Sequence, residues 1–342
     1  MKDTILSVTE ALLRHETLSR QQIHTVMHNM MSGNAQDVQI AGFLTALRAK
    51  GESVDEITAA AEVLREKSSK VTVSGPLLDI VGTGGGKVKT FNVSTASAFI
   101  AAAAGARVAK HGNRSASSPS GAADFLEAAG ANLDLTPDQV AYCIEHTDLG
   151  FIFAANHHAS MRYVANARKS LGFRTIFNLI GPLSNPASAS HYLLGVFDHA
   201  WVNPIANVLK NLSVEKALVV NANPGLDELS IAGESTITEL NNGHLTTYTV
   251  VPEDFGLRSL PLNNIQADSP QSSFKMIQLG LKELESDPAQ MLALNAGAAI
   301  YAADLVLSLQ QGVDMAQDMI ATGLAYEKMQ AFVHFTQQLT YI

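Results

Sequence analysis

The chain has 342 residues, of which 46% are hydrophobic and 16% are charged. This length and apolar share predict about two domains with a large core and exclude a small disulfide-stabilised module. The formal net charge is −9, from 23 Lys and Arg against 32 Asp and Glu. Because nucleic-acid binding needs a basic face toward phosphate, we expect no nucleic-acid partner. Any anionic ligand must be held by a few local cations or by backbone amides.

Cysteine usage and hydropathy indicate the compartment. Cys143 is the only cysteine, so no internal disulfide forms, which is typical of a reducing compartment. It shares an apolar helix face with Val140 and Ile144, which predicts a core position. No apolar leader is visible at the N-terminus, and the most apolar stretch, 98–106, is about half of the ~20 residues that a membrane span needs. We therefore expect a cytoplasmic protein with no membrane partner.

The first 70 residues carry a helical pattern and no strand-like run. Ser53 and Glu56 form a capping box ahead of apolar residues that recur at helical spacing. Gly33 and Gly51 divide the region. We predict a small all-helical unit of four helices.

Strand-like and helix-like segments alternate from about residue 76 onward. Asn241-Asn242-Gly243 joins two alternating segments and predicts a hairpin. Thr136 begins a second capping box with Pro137 at the first helical position. Strands that alternate with helices indicate an α/β domain. The predicted strands are 77–81, 107–109, 151–154 and 217–220. One helix is predicted at 94–104, with Ser94 as its cap, and a second after Thr136. Further helices are predicted from Pro288 onward.

A glycine loop, Gly82 to Gly86, follows the first predicted strand and precedes a helix. Glycines at such a place let the backbone approach a ligand and point several N–H groups at an anion such as phosphate. The loop does not match two common nucleotide motifs. A Rossmann fingerprint needs glycine at Lys87, and a Walker A loop needs glycine at Val81 and a hydroxyl at Val88. On these residues alone, a flexible turn is an equally good interpretation.

Two polar segments lie next to predicted strand and helix ends. Residues 90–95 place three hydroxyls and an amide at a helix N-terminus, where Ser94 and Thr95 could meet an anion or a metal. Simple capping is the commoner role of such residues when they are considered alone. Residues 110–118 place two cations, an amide and hydroxyls around Gly112, directly after a strand. Ligands bind at strand-end loops of α/β sheets, which favours a binding loop over a solvated one.

Asp227 and Glu228 are adjacent on a loop that follows the strand at 217–220. Such a pair suits Mg²⁺, which takes one or two carboxylates together with substrate phosphates. An exposed acidic pair is the alternative, and it is the commoner case when no other observation is considered. His157 and His158 lack a third ligand at zinc-site spacing. No Gly-x-Ser-x-Gly elbow supports nucleophilic hydrolysis.

Seven ordered blocks, which extend over nearly the whole chain, resemble the anthranilate phosphoribosyltransferases of tryptophan biosynthesis. Several blocks in one order are far more specific than any single loop. The blocks are 82–85, 92–95, 110–114, 174–178, 181–183, 185–187 and 225–228, followed by 294–298 near the end.

The resemblance implies an α/β fold with a small helical domain, built from 1–70 and a segment near 165–185. The larger domain, 71–164 and 186–342, would hold a central mixed or parallel sheet of the kind found in nucleoside phosphorylases. The family is usually a homodimer through the helical domain. Its reaction transfers a phosphoribosyl group from phosphoribosyl pyrophosphate to the amine of anthranilate, with Mg²⁺, and releases pyrophosphate.

The resemblance also implies roles for individual residues. Ser94, Asp227 and Glu228 match metal positions. Lys110 would take the negative charge that develops on pyrophosphate. Arg168 is suited to pair with the anthranilate carboxylate, beside Asn113. His158 could assist with the proton of the amine. The positions that match substrate contacts are Gly82, Gly85, Gly86, Thr90, Asn92, Val93, Ser94, Thr95, Lys110, His111, Gly112, Asn113, Arg114, Ser117, Ser118, Ala122, His158 and Arg168.

The chain departs from the family pattern at several positions in these loops. Gly86 and Pro224 stand where the family usually has Asp, Pro119 where it has a cation, and Ala122 where it has Ser. Ala155 and Ala159 replace prolines. These changes predict weaker binding of phosphoribosyl pyrophosphate, or a different donor. Two alternatives therefore stay open: a pyrimidine nucleoside phosphorylase, and a catalytically silent binding protein.

Overall fold

The computed structural model describes residues 4–86, 88–115 and 120–339. It begins with a bundle of four helices, in agreement with the prediction for the first 70 residues. The predicted capping box at Ser53 and Glu56 starts the fourth helix. The helices are α1 (Ile5–Leu13), α2 (Arg20–Met31), α3 (Asp37–Lys50) and α4 (Val54–Glu66).

A seven-stranded sheet follows, in the order β3-β2-β1-β4-β5-β6-β7. The first five strands in this order are parallel, and β6 and β7 are antiparallel. This mixed sheet confirms the predicted α/β class. The strands are β1 (Leu78–Gly82), β2 (Val108–Gly112), β3 (Leu149–Phe153), β4 (His191–Gly195), β5 (Lys216–Ala222), β6 (Ser235–Asn241) and β7 (His244–Val250).

Helices join the strands and complete the chain. Their bounds are α5 (Val93–Ala103), α6 (Ala122–Ala128), α7 (Pro137–Thr147), α8 (Ala154–His157), α9 (Arg162–Leu171), α10 (Ile176–Ile180), α11 (Val202–Asn211), α12 (Pro270–Gly280), α13 (Asp287–Ala302), α14 (Leu309–Ala321) and α15 (Leu324–Gln338).

Short sequence patterns correctly predicted the position of several of these elements. Thr136 caps α7, with Pro137 at its first position, as predicted. The hairpin turn between β6 and β7 has φ of 48° at Asn242 and 81° at Gly243, which is the backbone that Asn-Gly turns favour. Cys143 is buried in α7, as predicted.

Three predicted element bounds were wrong. The second strand continues beyond 109 to Gly112, because Lys110 and His111 are buried inside the sheet despite their polarity. The third strand ends at Phe153, since Ala154 already begins α8. The fifth strand is longer than predicted and spans Lys216–Ala222.

Two apolar cores cover the faces of the sheet. Successive residues of β5 alternate between them: Ala217 and Val219 belong to one core, Leu218 and Val220 to the other. The core that contains Val219 continues into the helical bundle. The helices α9 and α10 return to that bundle and pack on α3 and α4. The predicted domain bounds, 1–70 with 165–185 against the remainder, stay a prediction.

In the described ranges, no helix combines the length and the apolar composition that crossing a bilayer requires.

Candidate active site

The carboxyl edge of the parallel strands gathers the polar segments predicted from the sequence. β1 ends at Gly82 beside Gly195, the last residue of β4. β2 ends at Gly112 beside Phe153, the last residue of β3. Because parallel strands end at one edge, the loops that follow them meet there. The glycine loop, the basic segment and the acidic pair after β5 therefore share one side of the molecule.

Ser94, Asp227 and Glu228 line one small cavity at this edge. Burial raises the pKa of Asp227. Burial, followed by the neighbouring charge of Asp227, raises the pKa of Glu228 well above its usual value. A hydroxyl and two crowded carboxylates form a donor set that fits Mg²⁺, whose charge would offset their repulsion. The rest of the cavity wall is Ile80, Val81, Leu193, Gly195, Val220 and Asn295.

Two hydrogen-bond donors hold Glu228 in place. The backbone N–H of Ser94 donates to the Glu228 carboxylate. The Thr90 hydroxyl donates to Glu228 Oε2 over 3.4 Å. The loop before α5 is thereby tied to the loop after β5, so the two predicted binding segments are in direct contact.

The glycine loop packs tightly against Asp227. The backbone N–H of Gly84 donates to Asp227 Oδ2 over 2.8 Å. A Cβ added to Gly82 would lie 2.6 Å from the same oxygen, and one added to Gly86 would lie 2.9 Å from the carbonyl oxygen of Gly225. Glycine is needed at these places because the two backbones approach each other so closely. The loop is therefore packed in place and is not a free turn.

Lys110 is buried beneath the loop, with 3% of the residue exposed. Its Nζ donates to the carbonyl oxygen of Ile80 over 2.6 Å and lies 3.4 Å from Ser94 Oγ. Burial lowers the pKa of Lys110 to about 8, while the charges of Asp79 and Glu228 oppose that shift. An ammonium group is thus placed beside the predicted metal ligands.

Asp79 is a buried site-supporting residue that the sequence analysis missed. It accepts hydrogen bonds from the backbone N–H of His111 over 3.0 Å and from Asn185 Nδ2 over 2.7 Å. Burial raises the pKa of Asp79 to about 6, and Lys110 opposes the shift. In the sequence, Asp79 is a lone carboxylate inside the apolar run 77–81, and this is the signal that could have identified it.

His158 lies against His111, with their Nε2 atoms 3.2 Å apart. Burial lowers the pKa of His158 to about 4 and that of His111 well below its usual value. Both rings are therefore neutral at pH 7. His158 Nδ1 is buried and has no hydrogen-bond partner among the described residues, which leaves it free to meet a ligand.

Asn92 and Thr95 flank the start of α5. The helix begins at Val93 with Asn92 at its N-cap position, so the prediction that Ser94 caps it was wrong; Ser94 lies inside the first turn. Asn92 Oδ1 accepts from Ser120 Oγ over 2.8 Å and from Ser273 Oγ over 2.7 Å. The Thr95 hydroxyl is buried and unpartnered among the described residues.

Two arginines from the segment after β3 lie near aromatic rings. The guanidinium of Arg168 lies 5.1 Å from the Phe177 ring centroid, and burial lowers its pKa. Arg174 lies 3.8 Å from the Phe197 ring centroid and donates to the carbonyl oxygen of Gly85. The sequence analysis included Arg174 in a family block but assigned it no role.

The remaining predicted site residues are more peripheral. Asn113 is exposed at the end of β2. Arg114 forms ion pairs with Glu127 and Asp124. Ala122 is the first residue of α6. The predicted contacts Ser117 and Ser118, together with Pro119, lie outside the described residues.

Comparisons with known proteins agree with this arrangement. The helical bundle domain of a glycosyl transferase family matches residues 6–68, and its a/b domain matches residues 74–326. The anthranilate phosphoribosyltransferase of Methylococcus capsulatus is 50% identical over 335 residues, 98% of each chain. That of Pseudomonas entomophila is 47% identical over 338 residues, 97% of each chain. The chain belongs to the anthranilate phosphoribosyltransferase family.

Solved structures of anthranilate phosphoribosyltransferases share the fold. The enzyme from Thermus thermophilus superposes with a TM-score of 0.91 at 42% identity, over 96% of this chain and 99% of that one. The Saccharomyces cerevisiae enzyme in complex with PRPP and Mg superposes with a TM-score of 0.89 at 25% identity, over 99% of each chain. The predicted family and fold are both confirmed.

Two departures from the anthranilate phosphoribosyltransferase pattern adjoin in space. Gly86 lies against the backbone of Gly225, which directly follows Pro224. An aspartate at 86 would need this loop to move, since even its Cβ would approach the Gly225 carbonyl too closely. Gly86 therefore packs on the loop that contains the second replacement, Pro224.

Proposed function

We propose that this chain transfers the phosphoribosyl group of phosphoribosyl pyrophosphate to the amine of anthranilate and releases pyrophosphate, a step of tryptophan biosynthesis. The observation that carries the proposal is that Ser94, Asp227 and Glu228 line a common cavity beside the buried ammonium of Lys110. Family membership at 50% identity supports the same reaction.

The metal proposed for this site is Mg²⁺, held by Ser94, Asp227 and Glu228. Bound there, Mg²⁺ would supply positive charge to the diphosphate of the donor. Lys110 supplies a second positive charge from the chain itself, and Gly84 positions Asp227 through its N–H. This arrangement stabilises the negative charge that develops on pyrophosphate as the C1–O bond of the ribose breaks.

The donor substrate, phosphoribosyl pyrophosphate, is proposed to lie along the glycine loop and the first turn of α5. The backbone N–H groups of a helix N-terminus favour an anion. The Thr95 hydroxyl, which has no partner within the part of the chain that the structure describes, offers a further hydrogen bond. The Asn92 side chain is held by Ser120 and Ser273, so its amide is already oriented.

The acceptor is proposed to lie between Arg168 and His158. The Arg168 guanidinium has no hydrogen-bond partner among the described residues and is partly buried, which suits bidentate pairing with a carboxylate. The neutral His158 ring can accept a proton as the amine forms its bond to ribose. An aromatic amine is nearly unprotonated at pH 7, so no strong base is required.

The test is a fluorescence assay of anthranilate consumption with phosphoribosyl pyrophosphate over a Mg²⁺ titration. We expect Mg²⁺-dependent turnover. Arg168→Ala should raise the KM for anthranilate at least tenfold, because a charge-assisted contact is worth about 1.5–3 kcal/mol, with the KM for phosphoribosyl pyrophosphate unchanged. Lys169→Ala, at the exposed neighbouring position, is the matched control.

Two results would contradict the proposal. If Arg168→Ala bound anthranilate with unchanged affinity, the proposed acceptor site would be wrong. Absence of turnover from a folded protein at saturating substrates would contradict the proposed reaction. In that case, release of a base from thymidine or uridine in the presence of phosphate would indicate a nucleoside phosphorylase, and no reaction at all would favour a silent binding protein.

A homodimer through the helical bundle is also proposed. On α1, Leu13 is 68% exposed and Leu6 is also exposed. Val38 of α3 is 73% exposed, and Tyr163 of α9 is exposed as well. The helix α3 packs on both α1 and α9, so these exposed apolar side chains come from neighbouring helices, which supports an interface there. A cytoplasmic location stays a prediction from cysteine usage.

A further inference from the structure

A second group of metal-ligand side chains lies outside the active site, on the helical bundle. His24 and His28 are one turn apart on α2, and Glu66 is the last residue of α4. Glu66 Oε2 lies 3.1 Å from His28 Nε2 and 3.7 Å from His24 Nε2. Across the described ranges, this is the only set of three His, Cys, Asp or Glu side chains whose ligand atoms all lie within 4.8 Å of one another.

The distances within the cluster of His24, His28 and Glu66 suit a tetrahedral ion. Zinc binds imidazole nitrogen and carboxylate oxygen at about 2.0–2.2 Å, which places neighbouring ligand atoms of a tetrahedron about 3.3–3.6 Å apart. The observed separations of 3.1 and 3.7 Å lie on either side of this value. Two imidazoles and one carboxylate also form a set that favours Zn²⁺ over Mg²⁺, which prefers oxygen ligands.

A simple ion pair explains the cluster less well. One protonated imidazole is enough to neutralise one carboxylate, yet both rings direct Nε2 toward the same Glu66 oxygen. The ring centroids are only 4.6 Å apart, so a second protonated ring would repel the first. A cation that binds two neutral imidazoles and a carboxylate uses all three groups together.

The scaffold of the cluster is well anchored. Arg20, one turn before His24, pairs with Glu62, one turn before Glu66, so a further contact joins the same two helices. Ile23 and Met27 of α2 are fully buried in the bundle core. The three ligands are thus positioned by packing before any ion arrives, which lowers the ordering cost of binding. Both histidines are partly exposed, so solvent can deliver the ion and supply a fourth ligand.

We propose that His24, His28 and Glu66 form a site for a Zn²⁺-class transition-metal ion that joins α2 to α4. It is distinct from the site of Ser94, Asp227 and Glu228, and it does not depend on the proposed reaction. Because the ion binds only the folded bundle, its binding stabilises the folded protein.

The test is calorimetric titration of the full-length protein with Zn²⁺ after treatment with chelator, in the background Asp227→Asn/Glu228→Gln, which removes the other carboxylate pair. We expect one ion per chain. His24→Gln and His28→Gln should each weaken binding at least tenfold. His244→Gln, an exposed histidine on β7, should leave binding unchanged.

Thermal unfolding provides a second readout. With Zn²⁺ at a hundredfold excess over its Kd, the Tm should rise by about 3–4 °C, and this rise should vanish in His24→Gln. In the presence of chelator, the variants and the parent should have equal Tm values, which shows that they fold alike. Undiminished zinc binding in His24→Gln and His28→Gln, or no zinc-dependent rise in the Tm of the parent, would overturn the proposal.

Discussion

At the scale of single residues, the candidate site is defined by charges that are buried beside one another. Lys110, Asp79 and Glu228 lie in or under the carboxyl edge of the sheet, where burial disfavours each charged form. The pKa of Lys110 is lowered to about 8 and that of Asp79 is raised to about 6. Each group opposes the pKa shift of the other, so the charge of Asp79 helps to keep the Lys110 ammonium protonated close to the proposed diphosphate.

The titration of Lys110 should appear in the pH profile of the reaction. Below pH 8 the side chain is protonated, and above it the charge is lost. We expect kcat/KM for phosphoribosyl pyrophosphate to fall about tenfold for each pH unit above 8. In Lys110→Arg the charge persists, because a guanidinium stays protonated, so the fall should move to higher pH. Identical profiles for Lys110→Arg and the parent between pH 7 and 10 would contradict this assignment.

Gly86 provides a steric prediction at the same scale. A side chain there would lie 2.9 Å from the Gly225 carbonyl oxygen, so restoring the family's aspartate should displace the acidic loop. Gly86→Asp and Gly86→Ala should both raise the KM for phosphoribosyl pyrophosphate and cost about 1–3 kcal/mol of stability. The measurements are steady-state kinetics and denaturant unfolding.

Gly42→Ala is the matched control for that prediction. A Cβ at this helical position has nothing within 4 Å, so the change should be neutral or stabilising. A Gly86→Asp variant that binds phosphoribosyl pyrophosphate more tightly than the parent would show that the loop tolerates the family's residue.

At the scale of elements, the site depends on a contact between two loops and a returning segment. The segment after β3 forms α9 and α10 on the helical bundle, and Arg174 between these helices reaches the carbonyl oxygen of Gly85. The charge of Asp227 attracts the same guanidinium. The glycine loop is therefore held both by Asp227, which accepts from Gly84, and by Arg174, which donates to Gly85.

Removal of this guanidinium should loosen the glycine loop. We expect Arg174→Ala to lower kcat/KM for phosphoribosyl pyrophosphate by about tenfold to a hundredfold, since a charge-assisted hydrogen bond contributes about 1.5–3 kcal/mol. Arg162→Ala, an exposed arginine of the same segment that stacks on Tyr163, should change kcat/KM less than twofold. Equal effects of the two substitutions would show that Arg174 has no positioning role.

At the scale of the whole molecule, the helical bundle and the sheet share one apolar core. The exposed leucine and valine side chains on α1 and α3 are not buried in the core of one chain, which supports their burial between two chains.

The double variant Leu13→Glu/Val38→Glu should separate the proposed dimer. Light scattering during size-exclusion chromatography should give the mass of two 36.4 kDa chains for the parent and that of one chain for the variant, because buried charges oppose association. Leu307→Glu changes a leucine that is even more exposed, at 91%, in the larger part of the chain and should leave the dimer intact. A parent protein with the mass of one chain would contradict the proposal.

The sequence by itself determined the features that depend on neighbouring residues. Capping boxes at Ser53 and Thr136 act within one turn, and the Asn242-Gly243 turn depends on two residues that tolerate positive φ. Ordered motif blocks indicated the family, and the polar segment that follows a predicted strand indicated a binding loop that begins at Lys110. These inferences needed only chain order and local chemistry.

Only the tertiary structure decided which distant residues touch. Lys110 appeared to be a loop residue, because its polarity concealed that it continues β2 into the interior. The contact of Arg174 with Gly85 and the cluster of His24, His28 and Glu66 join segments that are far apart in sequence. No local pattern specifies such pairs, because the packing of whole helices and strands sets the distance between them.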